Sequence, residues 1–145
     1  MNTVKLEVKQ EVNDSGQLKC EEYSLNGKYH NEHGPALRIW SNSGKLKCES
    51  YWLNGKRHNE HGPAYRRWNE SGKLKCESYW LNGKRHNEHG PAYRRWKESG
   101  VLVSEEYRLN GELFTKEQWE RRVKPDPCLG KVVTVDGKEY RLGEV

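Results

Sequence analysis

Large apolar residues are scarce in this chain. Its 145 residues include one phenylalanine and one methionine, and only 32% are hydrophobic. That composition argues against a thick two-layer core. No stretch approaches the roughly 18 consecutive apolar residues of a membrane-spanning helix, so no transmembrane segment is expected. The opening MNTVKLEVKQEV lacks a basic stretch followed by an apolar core, so no secretory signal is expected and a soluble cytoplasmic protein is the expected reading. A disulfide framework is not expected either. Three of the four cysteines, Cys20, Cys48 and Cys76, are one position seen three times, while Cys128 stands alone. The pattern fits small buried residues stacked in a reducing compartment.

What the chain has instead is repetition. Ser43–Glu70 reads SGKLKCESYWLNGKRHNEHGPAYRRWNE, and Ser71–Glu98 differs from it only at Asn69 versus Lys97. Looser copies flank the pair, Ser15–Asn42 before and Ser99 to about Asp126 after. Gly16, Gly44, Gly72 and Gly100 fix a period of 28 residues. Strict periods of this size mark arrays in which each unit buries its neighbour. Six Trp and eight Tyr recur in register, and such rings supply the apolar area that aliphatic residues do not. The expected fold is all-β, an elongated meander of antiparallel hairpins. An N-terminal strand should occupy residues 1–14 and the array 15–113, with units 15–42, 43–70, 71–98 and a degenerate 99–126. A capping helix over 114–124 and a hairpin tail over 125–145 should follow.

Local chemistry supports that division. Val4, Leu6 and Val8 alternate with Lys5, Glu7 and Lys9, the period-two pattern of a half-buried strand. Asn-Gly at Asn26, Asn54, Asn82 and Asn110 marks two-residue hairpin turns, because both central residues of a type I′ turn need positive φ. The second turn of each unit, at Glu70-Ser71-Gly72, reads as a three-residue loop with Gly72 left-handed. That choice sets Trp68 opposite Leu74 and Arg66 opposite Cys76. One face then carries Trp40, Leu46, Cys48, Ser50 and Trp52, the expected core. The other carries Lys45, Lys47, Glu49, Tyr51, Leu53, Tyr65 and Arg67, the expected exposed surface. Pro63 cannot donate to a ladder and should start a strand. Thr115 with Gln118 forms a capping box, with Phe114 and Trp119 as a hydrophobic staple. Beyond the breaker Pro125-Asp126-Pro127, Asp136-Gly137 should close a hairpin pairing Val133 with Tyr140.

The stretches Tyr51–Ala64 and Tyr79–Ala92, YWLNGKRHNEHGPA in both, resemble the MORN-type variant repeat of bacterial and phage proteins. That group includes the YwqK-like proteins, which are described as antitoxin components. The likeness covers about residues 15–113, and the ending Leu109-Asn-Gly-Glu-Leu-Phe-Thr-Lys-Glu-Gln-Trp119 resembles that of phage members. It implies a β-repeat fold and a binding role, and it supplies no catalytic residues. One departure stands out: the family usually has an acidic residue before Gly-Pro-Ala, where this chain has His33, His61 and His89.

The function expected is macromolecular binding. The net charge of +5 is concentrated in the two near-identical units, with six basic against three acidic residues in 43–70 and seven against three in 71–98. Arg beside aromatics is the composition of interface hot spots and of single-strand nucleic-acid platforms. Partner contacts are therefore expected at Tyr51, Tyr65, Arg67, Tyr79, Tyr93 and Arg95. A protein partner comes first, with the chain acting as an inhibitor, antitoxin-like factor or phage counter-defence factor. Nucleic acid on the basic patch is the alternative and anionic lipid the third, while open sheet edges leave room for a homodimer. The pairs His30/His33, His58/His61 and His86/His89 could each give zinc only two ligands, so they read as turn residues that hydrogen-bond the backbone. An array of equivalent copies offers no unique catalytic centre, so no enzyme activity, metal or cofactor is expected.

Overall fold

The computed structural model describes residues 4–124 and 131–141. The Pro125–Pro127 breaker and Cys128 lie outside that range. The elements run β1 (Leu6–Val12), β2 (Leu18–Leu25), β3 (Lys28–Tyr29), β4 (Leu37–Trp40), β5 (Leu46–Ser50), β6 (Trp52–Leu53), β7 (Lys56–Arg57), β8 (Tyr65–Trp68) and β9 (Leu74–Ser78). They continue as β10 (Trp80–Leu81), β11 (Lys84–Arg85), β12 (Tyr93–Trp96), β13 (Leu102–Leu109), β14 (Glu112–Phe114), α1 (Lys116–Val123), β15 (Val132–Val135) and β16 (Lys138–Arg141). The fold is the expected all-β array. Its spine is an antiparallel meander in the order β1-β2-β4-β5-β8-β9-β12-β13-β14, with β3 on β2. The only helix among the described residues has 8 residues, too few to cross a membrane.

Short hairpins hang from this spine. β6 and β7 pair through Trp52↔Arg57 and Leu53↔Lys56, and β10 and β11 repeat the pairing 28 residues on. Asn54 and Gly55 both take positive φ, 49° and 78°, as the type I′ turn requires. Each hairpin is tied to the next: the Gly83 N–H donates to Arg57 O at 2.9 Å and the Asn59 N–H to Trp80 O at 3.0 Å. The hairpins therefore form a second ladder beside the main one. Burial follows the joints. Ala36, Ala64 and Ala92 are all 0% exposed, because each bridges two strands; the Ala64 N–H donates to Ser78 O and its carbonyl accepts from the Tyr51 N–H.

The expected division of faces needs correction. Gly72 is left-handed and Trp68 does face Leu74, but the register then shifts, so that Arg67 and not Arg66 lies opposite Cys76. The cause is a bulge that leaves Lys75 without a partner. One extra residue on a strand reverses the parity of everything beyond it. Tyr65 and Arg67 therefore share a face with Cys48, Ser50, Cys76 and Ser78. The same shift recurs at Ile39/Trp40 and Arg95/Trp96. Pairing also lapses at Tyr51, between β5 and β6, so strict alternation does not carry across from Ser50 to Trp52.

The end of the array is closed by α1. Gln118 N–H donates to Thr115 Oγ1, and Thr115 N–H donates to Gln118 Oε1, completing the capping box. Trp119 is buried against Tyr107, while Phe114 lies beneath the Arg122 guanidinium. In the tail, β15 and β16 pair with Val133 opposite Tyr140.

Candidate functional site

The surface with most organisation is built from the three loops that follow the short hairpins. In the central one, His58–Ala64, the Asn59 side chain works in both directions: Oδ1 accepts the His61 N–H and Nδ2 donates to Pro63 O, both at 3.0 Å. Asn31 and Asn87 do the same in their loops. An Asn side chain that closes its own turn holds the backbone without help from secondary structure. His58 Nδ1 accepts the Asn82 N–H at 3.0 Å, so the proton of the neutral ring sits on Nε2, which faces Glu60 at 3.5 Å. His30 and His86 make the same links to Asn54 and Asn110. Both nitrogens of the first His in each pair are thus engaged within the protein, and the loops stand pre-formed.

Two grooves lie between these loops. One, of about 630 Å³, is bounded by Asn59–Pro63 and His86–Gly90 and floored by Tyr79, Leu81, Arg66 and Arg94. Its neighbour, of about 530 Å³, uses Asn31–Gly34 and His58–Pro63, with Tyr51, Leu53 and Arg66. The grooves are copies of one site, side by side, sharing one loop and one arginine.

A charge ladder runs beneath them. Glu21, Arg38, Glu49, Arg66, Glu77, Arg94 and Glu105 stand opposite one another strand by strand. Arg66 lies 3.6 Å from Glu49 and 3.9 Å from Glu77, and Arg94 lies 3.6 Å from Glu77 and 3.4 Å from Glu105. Cross-strand opposite charges are each worth about 0.2–1 kcal/mol. The ladder neutralises Arg66 and Arg94, so the excess positive charge must come from other residues, among them Arg67 and Arg95. Tyr51 and Tyr79 sit beside it. Burial pushes both phenols above the ordinary tyrosine range, Glu49 and Glu77 push further, and the nearby arginines oppose.

The expected contact residues divide into three environments. Tyr51 and Tyr79 enter the grooves. Arg67 and Arg95 are exposed on the opposite face of the sheet. Tyr65 and Tyr93 are half-buried on that same face, covered by the Arg57 and Arg85 guanidinium groups at 4.7 Å and 4.8 Å. No single patch joins all six. The floor arginines Arg66 and Arg94 belong to the Tyr-Arg-Arg-Trp clusters that stand out in the sequence but are not among the contacts expected from it. The Asn59-type loops are not marked there either, though an Asn two residues before His-Gly-Pro is a signal for such a turn.

Tyr65 gives a measurable consequence. Burial first, then the neighbouring Cys48 and Cys76 thiols, push its phenol up to about 12 from the ordinary 10, while Arg67 opposes. The folded chain thus keeps this proton between pH 10 and about 12, where the unfolded chain releases it. Stability attributable to Tyr65 is intact below pH 10 and should fall as pH rises to about 12. Denaturant unfolding at a series of alkaline pH values checks this, and Tyr65→Phe should flatten the decline.

No family model matches the chain, and no curated protein or solved structure matches it.

Proposed function

We propose that the chain is a protein-binding module that takes an extended segment of a partner protein along its two adjacent grooves. The observation that carries this reading is the duplication of one rigid, tyrosine-floored groove on one face. Two strands per unit at about 4.8 Å each place equivalent points about 10 Å apart, and an extended chain advances about 3.3 Å per residue. About three partner residues then match each groove. The pre-formed loops need little ordering on binding, which favours affinity. Binding of this kind acts by occupying the partner's surface. The resemblance of Tyr51–Ala64 to antitoxin-associated repeats supports reading that occupancy as inhibition.

The test is an affinity pull-down of the tagged full chain from lysate with and without nuclease, at about 0.1 M and about 0.5 M salt, since screening separates charge-driven from packed contacts. Tyr51→Ala/Tyr79→Ala should lose a discrete protein partner that the native chain retains at both salts. With aromatic anchors worth about 2 kcal/mol each, Kd should rise about a thousandfold. Arg67→Glu/Arg95→Glu should leave that capture unchanged. If capture instead fails with nuclease, with high salt and with the Arg67/Arg95 change, the grooves are not the site and nucleic acid on the opposite face is the ligand.

A further inference from the structure

We propose that β1 is a self-complementary docking edge and that the chain pairs with a second copy of itself, β1 to β1, in antiparallel fashion about Val8. This is independent of the groove reading. Among the described residues β1 ends the strand order and pairs only with β2. Its apolar side chains are left in solvent, with Leu6 48%, Val8 52% and Val12 59% exposed, as is Val4 just before it at 65%.

The backbone says which groups face outward. The Tyr23 N–H donates to Ala36 O, and Tyr23 O accepts from the His30 N–H, so Tyr23 turns its amide groups away from β1. Val8 lies opposite Tyr23. In an antiparallel ladder this makes Val8–Tyr23 a non-hydrogen-bonded pair, and the N–H and C=O of Val8 point to the open side. Leu6 and Gln10 share that parity.

A second β1 must therefore bond through the even-numbered residues. Three long registers satisfy this. Centring on Glu7 sets Glu7 against Glu7 and Lys5 against Lys9 of the second copy. Centring on Lys9 sets Lys9 against Lys9 and Glu7 against Glu11. Centring on Val8 sets Glu7 against Lys9 and Lys5 against Glu11, each twice by symmetry, with Val8 on Val8 and Val4 on Val12. Only the last matches every charge and stacks the valines on the other face, so charge selects the occupant and the register together.

The two ends of the spine differ. β14 is short and α1 packs beside it, which favours a closed two-fold pair over a head-to-tail chain. The two-fold axis stands perpendicular to the sheet, so the paired sheet carries the grooves of both copies on one face.

Sedimentation of the full chain from about 1 to 100 µM tests the pairing. The native chain should reach a dimer and stop. Val8→Pro removes only an outward N–H, which an edge strand tolerates, and should abolish the dimer while leaving circular dichroism unchanged. Glu7→Lys and Lys9→Glu should each weaken self-association at least about tenfold, and their equimolar mixture should restore it. A native chain that stays monomeric, that grows beyond a dimer, or that dimerises equally well as Val8→Pro overturns the proposal. So does a mixture no tighter than its components.

Discussion

Trp119→Ala should be among the most damaging single changes in the chain, costing about 3–5 kcal/mol, the usual range for deleting a buried Trp. The indole is 5% exposed. Its ring centroid lies 5.1 Å from that of Tyr107 on β13, and its Nε1–H donates to Asn87 O at 2.9 Å. One side chain thus joins α1, the last long strand and the third His loop. Truncation leaves a cavity over Tyr107 and deprives a loop carbonyl of its donor. Small domains are stable by about 5–15 kcal/mol in all, so this loss is a large share. Trp119→Phe keeps most of the ring and removes the hydrogen bond, and should cost only about 1–3 kcal/mol. Denaturant unfolding followed by circular dichroism measures both. A loss below about 1 kcal/mol for Trp119→Ala would mean that the helix frays independently and that the array is stable without it.

That helix was legible because its signals are local. A capping box is settled within four residues, as is an Asn-Gly turn, and both stand where the sequence places them. The 28-residue period was equally plain, since near-identical units must fold alike. The facing of side chains was not legible, because it depends on a backbone choice made beyond the turn. Leaving Lys75 without a partner changes no residue type, yet it moves Tyr65 and Arg67 to the other face. The charge ladder stayed hidden for the same reason. Glu49 and Arg66 are 17 positions apart, and only the correct register shows that they neutralise each other. The grooves were harder still, since each is made from two consecutive units and belongs to neither.

Arg57→Ala should be the second large effect, at about 2–4 kcal/mol, and it bears on how so lean a chain holds together. The Arg57 guanidinium carbon lies 5.1 Å from the Trp52 ring, 4.7 Å from Tyr65 and 5.4 Å from Trp80. Arg85 repeats the arrangement with Trp80 and Tyr93. A planar cation among three rings fills space as an aromatic residue would, and a desolvated cation–π contact adds about 2 kcal/mol or more. Removing it costs both packing and charge. Arg57→Met separates the two, because it keeps most of the volume without the charge. If methionine is as stable as arginine, the stack is held by packing alone. If it falls to the level of alanine, the cation is the cohesive element. The double change Arg57→Ala/Arg85→Ala should depart from additivity, since Trp80 serves both arginines. Additive losses would show instead that each unit closes its own stack, and that the repeats are coupled through their backbone ladders alone.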